Sequence, residues 1–101
     1  MSKLSVLKLW NDRYGYKEDV RDYSGRLMKK SAIGNSNSKF EPTIDHIRPL
    51  SNGGKDVVEN IQLCNRITNQ EKADRFSTWN CNGKTFQAVR KKGNKSAYLI
   101  Q

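Results

Sequence analysis

The stretch that most limits how this chain can fold runs over residues 40–76. It holds two short apolar runs of strand type, a glycine-rich segment between them, and a polar cap leading into a helical pattern. Thr43, Ile44 and Ile47 are β-branched and suit a half-buried pleated surface, so a short strand is expected there, carrying Asp45 and His46 to its end. Pro42 fits that strand's first position, because a residue without an N–H is tolerated at a strand start or edge. Residues 49–59 include Ser51, Asn52, Gly53 and Gly54 and read as a compact loop. Residues 61–64 form a second short strand. Asn65 can then cap a helix over about residues 66–75, its side-chain oxygen taking an N–H group that the first helical turn leaves without a partner. In that helix Asn69 and Lys72 share a face. A strand, loop, strand and helix in this order can fold back until the end of the first strand faces the helix.

The flanks are simpler. Val6, Leu9, Trp10 and Arg13 recur at three- and four-residue steps, which predicts a helix over residues 5–14 with Ser5 as its cap and Gly15 as its stop. Trp10 is expected in the core, although an indole could also stack on a base. Asp22, Tyr23, Ser24 and Gly25 offer a turn into a strand over residues 26–30 with its basic residues facing out, and residues 34–39 form a loop. Near the C-terminus, Asn82-Gly83 lies between residues 78–81 and 84–89 and signals a tight hairpin, since both turn positions need positive φ. A further turn over residues 92–95 leads to residues 97–100. The C-terminal part is therefore expected to be a small antiparallel meander decorated by Lys84, Arg90, Lys91, Lys92 and Lys95. With 101 residues, the expectation is one α+β domain in three parts: a helix and lead-in (1–39), the strand–loop–strand–helix unit (40–76) and a basic β-meander (77–101).

Charge points to a partner. The chain carries a net charge of +9, unevenly placed. Residues 1–40 hold nine basic and four acidic side chains, residues 41–82 five and six, and residues 83–101 five and none. A polyanion gripped by both flanks and processed in the near-neutral middle explains this distribution; ordinary solvated lysines are the plainer account. Cys64 and Cys81 form no C-x-x-C pair and are expected to be free rather than bridged, since nothing upstream looks like a secretory signal. No apolar run approaches the ~20 residues of a membrane span, so a cytoplasmic setting without membrane contact is expected.

Hydrolysis of a phosphodiester needs an activated water, charge at the phosphoryl oxygens and help for the departing oxygen. His46 is the chain's one histidine and the natural base for the first task. A divalent metal serves the other two. Asp45 and Asn69 offer a carboxylate and an amide carbonyl, and two protein oxygens completed by water and substrate phosphate describe a magnesium-type site. Zinc is poorly served by one histidine and no cysteine cluster. Asn60, after the long loop, can hold that loop's backbone, and Arg48 and Lys72 can touch phosphates on either side of the scissile bond. Taken singly, an Asp-His pair arises by chance, Asn60 can merely cap a turn, and Asn69 can be a surface residue.

Taken together, Asp-His, thirteen residues, Asn, eight residues, Asn, two residues and Lys, with Pro49 and Gly53-Gly54 in the loop, resemble the HNH endonuclease family over about Ile44 to Asp74. Residues 21–26 and Gly34-Asn35 also look like the lead-in of small HNH proteins of phages and bacteria. The resemblance implies a ββα-metal fold with His46 as general base, Asp45 and Asn69 on the metal, and Asn60 orienting the loop. Asparagine at the third place makes this an H-N-N variant, similar to the HNH domain of RNA-guided CRISPR nucleases. The implied cofactor is Mg2+, with Mn2+ able to replace it. The implied substrate is DNA, double-stranded in the first instance, cut to 5′-phosphate and 3′-hydroxyl ends; with 101 residues leaving little room for a separate recognition domain, low sequence specificity or nicking is expected. Arg48, Lys72, Arg90, Lys91 and Lys92 would contact the nucleic acid, and a protein partner in a phage or DNA-processing complex is compatible with this size. Two departures stand out. Many relatives carry paired cysteines for a structural zinc, but here Cys64 stands alone and Thr68 lies where a cysteine is often found, so no structural zinc is expected and packing is expected to hold the core. Phe40-Glu41-Pro42 also differs from the aromatic-glycine run of close relatives. The competing expectation is a nucleic-acid-binding accessory module that keeps the scaffold without useful turnover.

Overall fold

In the structure, a computed structural model, residues 3–101 are described, with side chains from residue 6 onward. Helix α1 (Lys3–Tyr14) leads into the hairpin β1 (Asp19–Arg21) and β2 (Leu27–Lys29). A second hairpin, β3 (Pro42–His46) and β4 (Ile61–Asn65), is followed directly by α2 (Arg66–Lys72). Two more hairpins close the chain: β5 (Trp79–Cys81) with β6 (Lys84–Phe86), and β7 (Ala88–Arg90) with β8 (Tyr98–Ile100). All four are antiparallel two-stranded sheets.

The helical spacing read at the N-terminus has its expected outcome: Val6, Leu9 and Trp10 are buried and pack with Met28, Ile33, Ile61 and Leu63 as the core. Arg13, on the same face, donates from Nη2 to the Ile61 carbonyl at 2.8 Å. Gly15 ends the helix at φ +62°, a conformation glycine adopts without the Cβ penalty. Ser5 lies inside the helix rather than at its cap, because α1 already begins at Lys3.

The β3–β4 hairpin pairs Pro42 with Asn65 and His46 with Ile61, so the loop over residues 47–60 leaves from the Asp45–His46 end. Two short 3-10 turns, Leu50–Asn52 and Val58–Asn60, tighten it. Asn65 caps α2 as expected, its side chain accepting from the Ile67 N–H. The helix stops at Lys72, short of the expected end near residue 75, because Ala73 turns to φ 52° and ψ −131°. Neither β1 nor this early stop was foreseen, since three-residue strands and single-residue backbone turns leave no periodic signal.

Where packing alone was expected to replace paired cysteines, the structure has a knot of hydrogen bonds. Asp22 Oδ1 accepts from the N–H groups of Ser24 and Arg26 and from the Ser24 hydroxyl, while its Oδ2 accepts from the Asn65 N–H. Ser24 and Thr68 share a hydroxyl bond at 3.1 Å, and Asn65 Nδ2 donates to the carbonyls of Leu27 and Lys39. Asp22, Ser24, Asn65 and Thr68 are all buried, so satisfying them internally is what makes the junction viable.

The C-terminal part is two separate hairpins rather than one meander. Asn82-Gly83 forms the tight turn with φ 51° and 74°. At Gln87 the chain leaves its partner: the Gln87 N–H and C=O exchange bonds with Gln101 at 2.8 and 2.9 Å, so residues 84–89 divide between β6 and β7. Among the described residues no helix is long and apolar enough to cross a membrane. Cys64 and Cys81 are free and buried.

Candidate active site

The end of β3 and the pocket-facing side of α2 come together across a side-chain bridge. Asn69 Nδ2 donates to Thr43 Oγ1 and to the Ile44 carbonyl, each at 3.1 Å. A carbonyl can only accept, so this contact sets the amide orientation and leaves Asn69 Oδ1 as the unengaged acceptor. An open pocket is lined by Asp45, His46 and Asn69, together with Ile44, Pro49, Leu50, Ala73 and Asp74. Three residues that lie 24 positions apart at their extremes in the sequence thus face one space.

Asp45 is 6% exposed and sits between this pocket and Lys72, which is fully buried. The Lys72 ammonium is 3.3 Å from Asp45 Oδ1, 3.2 Å from Oδ2 and 3.3 Å from the His46 carbonyl. It meets Oδ2 as an ion pair but off the line of a hydrogen bond, and Oδ2 is the one buried side-chain polar atom among the described residues without a hydrogen-bond partner. Burial pushes the Asp45 carboxyl above its ordinary range, and Lys72 offsets this in part. A carboxylate so poorly solvated depends on positive charge beside it, which the Lys72 ammonium supplies here.

His46 lines the pocket and places Nε2 2.8 Å from Asp56 Oδ1. Asp56 comes from the loop ten residues on and is itself exposed. Asn60 is fully buried and does not line the pocket. Its Oδ1 accepts from the Arg48 N–H at 2.9 Å, and its Nδ2 donates to the carbonyls of Arg48 and Lys55 at 3.0 and 2.9 Å. It therefore ties the two ends of the loop together, one way an asparagine in this position orients its neighbours without touching a substrate. Gly54 makes the fold-back possible: a Cβ there would lie 1.8 Å from the Arg48 carbonyl oxygen.

The basic residues separate into two groups. Lys72, expected at a phosphate, is instead enclosed by Asp45, the His46 carbonyl and the Trp79 ring, where no solvent reaches it. Arg48 is half-buried; it donates from Nε to the Asn52 carbonyl and from Nη1 to the Tyr98 hydroxyl, and lies over the Phe76 ring. Arg90, Lys91 and Lys92 are exposed on and after β7 and do not line the pocket.

Sequence reasoning did not single out Asp56 or Asp74. Asp56 had no periodic or motif signal beyond its place after Gly53-Gly54, and its meeting with His46 depends on how the loop folds back. Asp74 reaches the pocket rim because Ala73 takes a left-handed backbone, which no pattern in the sequence announces.

The donor set suits a hard divalent cation. Asp45 Oδ2 accepts no hydrogen bond, Asn69 Oδ1 is unengaged, and water and substrate can fill the remaining positions. Among the described residues no three of His, Cys, Asp and Glu converge to hold a metal.

No curated protein and no solved structure matches the chain. A family model described as HNH endonuclease matches residues 22–78, more than half of the chain and inclusive of Asp45, His46, Asn60 and Asn69, so this protein belongs to the HNH endonuclease family.

Proposed function

We propose that β3, β4 and α2 form the ββα-metal core of a Mg2+-dependent DNA endonuclease, in a single domain, with His46 as general base and one metal ion. Family membership supports nuclease activity on nucleic acid. The observation that carries the finer reading is the convergence of Asp45, His46 and Asn69 on one open pocket, with Asp45 Oδ2 lacking a hydrogen-bond partner.

The residues divide the work as follows. An ionised Asp56 only accepts, so it holds a proton on His46 Nε2 and leaves the Nδ1 lone pair to take a proton from the attacking water. Asn60 pins the loop backbone at Arg48 and Lys55, next to Asp56, and so keeps that carboxylate opposite His46. Asp45 and Asn69 would hold the cation through Oδ2 and Oδ1. Bound there, Mg2+ supplies positive charge at the phosphoryl oxygens and the departing oxygen. Lys72 acts behind the site as the counter-ion of Asp45, and the exposed Arg90, Lys91 and Lys92 grip phosphates electrostatically.

Supercoiled plasmid incubated with Mg2+, Mn2+ or EDTA, beside His46→Ala, tests this. The expected result is metal-dependent conversion to open-circle or linear DNA by the wild type, none by His46→Ala, and equal DNA binding by both in EDTA. Open circles ahead of linear product would identify nicking. The Lys72–Asp45 ion pair favours a second reading, because an ammonium already neutralises the carboxylate proposed for the metal. That reading is an accessory module that binds nucleic acid without turnover. DNA binding with no conversion under any metal would establish it in place of the first.

A further inference from the structure

A second concavity forms where the loop after β3 meets the last hairpin. Arg48, Gly53, Gly54 and Lys55 line it from the loop, and Lys95 and Tyr98 from the hairpin. Among the described residues no acidic side chain lines it, and none of its three cations forms an ion pair with a carboxylate. Three like charges held around one hollow repel one another unless an anion enters.

Arg48 is the fixed member. Its Nε and Nη1 are held by the Asn52 carbonyl and the Tyr98 hydroxyl, and its plane lies against Phe76, while Nη2 has no protein partner among the described residues. A Cβ at Gly53 would come within 3.1 Å of that Nη2, so glycine leaves this edge of the guanidinium open. The hydrogen bond from Arg48 also holds the Tyr98 hydroxyl below the ordinary phenol range, the response expected in a positive field. A preorganised guanidinium edge with two lysines close by suits a tetrahedral oxyanion. Among the described residues the one aromatic ring lining the hollow, that of Tyr98, is buried, so the concavity offers no platform for a base.

We propose that this concavity is a phosphate-binding subsite that takes a backbone phosphate of the bound nucleic acid beside the scissile position. The assignment rests on the nuclease reading for the identity of its ligand. It gives the C-terminal hairpin a place in substrate binding, because Tyr98 and Lys95 complete a site begun by the catalytic loop.

Two arms test it. In the first, inorganic phosphate is titrated into the wild type and into Lys55→Gln/Lys95→Gln, followed by the amide NMR signals of Gly53 and Gly54. These signals should move in the wild type and stay in place in the variant; absence of movement, or equal movement in both, overturns the site. In the second, binding of a short duplex DNA is measured in EDTA across salt concentrations, with Lys8→Gln/Lys17→Gln as a charge-matched change elsewhere. The Lys55/Lys95 variant should bind about tenfold more weakly at low salt and flatten the slope of log K against log salt by about 1–2, whereas the control should change the slope little. Equal losses in the two variants would mean that a diffuse field, not a site, binds the DNA. The plasmid assay separates the failures: phosphate binding without cleavage retains the subsite and removes the nuclease reading, and cleavage with unchanged binding in the Lys55/Lys95 variant does the reverse.

Discussion

Lys72 and Asp45 show how much one buried pair can govern. Each is enclosed, so each depends on the other for its charge. Lys72→Met leaves the Asp45 carboxylate buried and unpaired, and should cost about 3–5 kcal/mol of unfolding free energy in urea with EDTA present. Adding Asp45→Asn removes the orphaned charge, and the double variant should recover part of that loss. A double variant as unstable as Lys72→Met alone would show that lysine packing, not charge pairing, is what matters. Ala73 is the opposite case, a residue carrying strain. Its φ of 52° with ψ of −131° belongs to glycine's territory, and it lies next to Asp74 at the pocket rim. Ala73→Gly relieves the strain at some cost in unfolded-state entropy, and should raise stability by about 1 kcal/mol. A lowered urea midpoint would contradict this account of the helix end.

Helix α2 is short for an independent helix, and its position comes from what its side chains hold. Asn69 and Lys72 tie it to β3, while Glu71 ties it to both neighbouring hairpins: Arg26 donates to the Glu71 carboxylate, as does the Asn82 N–H. The bond from Arg26, helped by the Asn82 amide, holds the Glu71 carboxyl below its ordinary value near 4.5. A carboxyl depressed on folding contributes stability that is fully present above that value and lost as pH falls through the lower folded one. Wild-type melting temperature should therefore fall more steeply than that of Glu71→Gln as pH is lowered below 4.5, and parallel curves would remove Glu71 as a clamp. Because the pair is partly exposed, added salt should weaken the effect.

The protein as a whole is joined by polar links between hairpins that share no sheet. Asp22 is the main link, since its carboxylate satisfies three backbone N–H groups, one of them from Asn65 at the start of α2. Asp22→Ala strands those donors in a buried junction and should cost about 3 kcal/mol or more, a large part of the 5–15 kcal/mol that holds a domain of this size. The urea midpoint measures it; a loss near zero would mean that water enters and replaces the carboxylate. Much of this architecture was legible beforehand, because β-branched runs, the Asn65 cap, the Asn82-Gly83 turn and the spacing of Val6, Leu9 and Trp10 act locally and leave a pattern. The family was legible as well, since the spacing of Asp45, His46, Asn60 and Asn69 pointed to the one whose model covers them. What chain order could not supply was which charges meet. Lys72 turned inward to Asp45, Asp56 reached His46, and Arg48 joined Tyr98 across 50 residues. Local conformation follows from neighbours in sequence. Burial and pairing of charge depend on the desolvation each site imposes, and only the packed chain sets that.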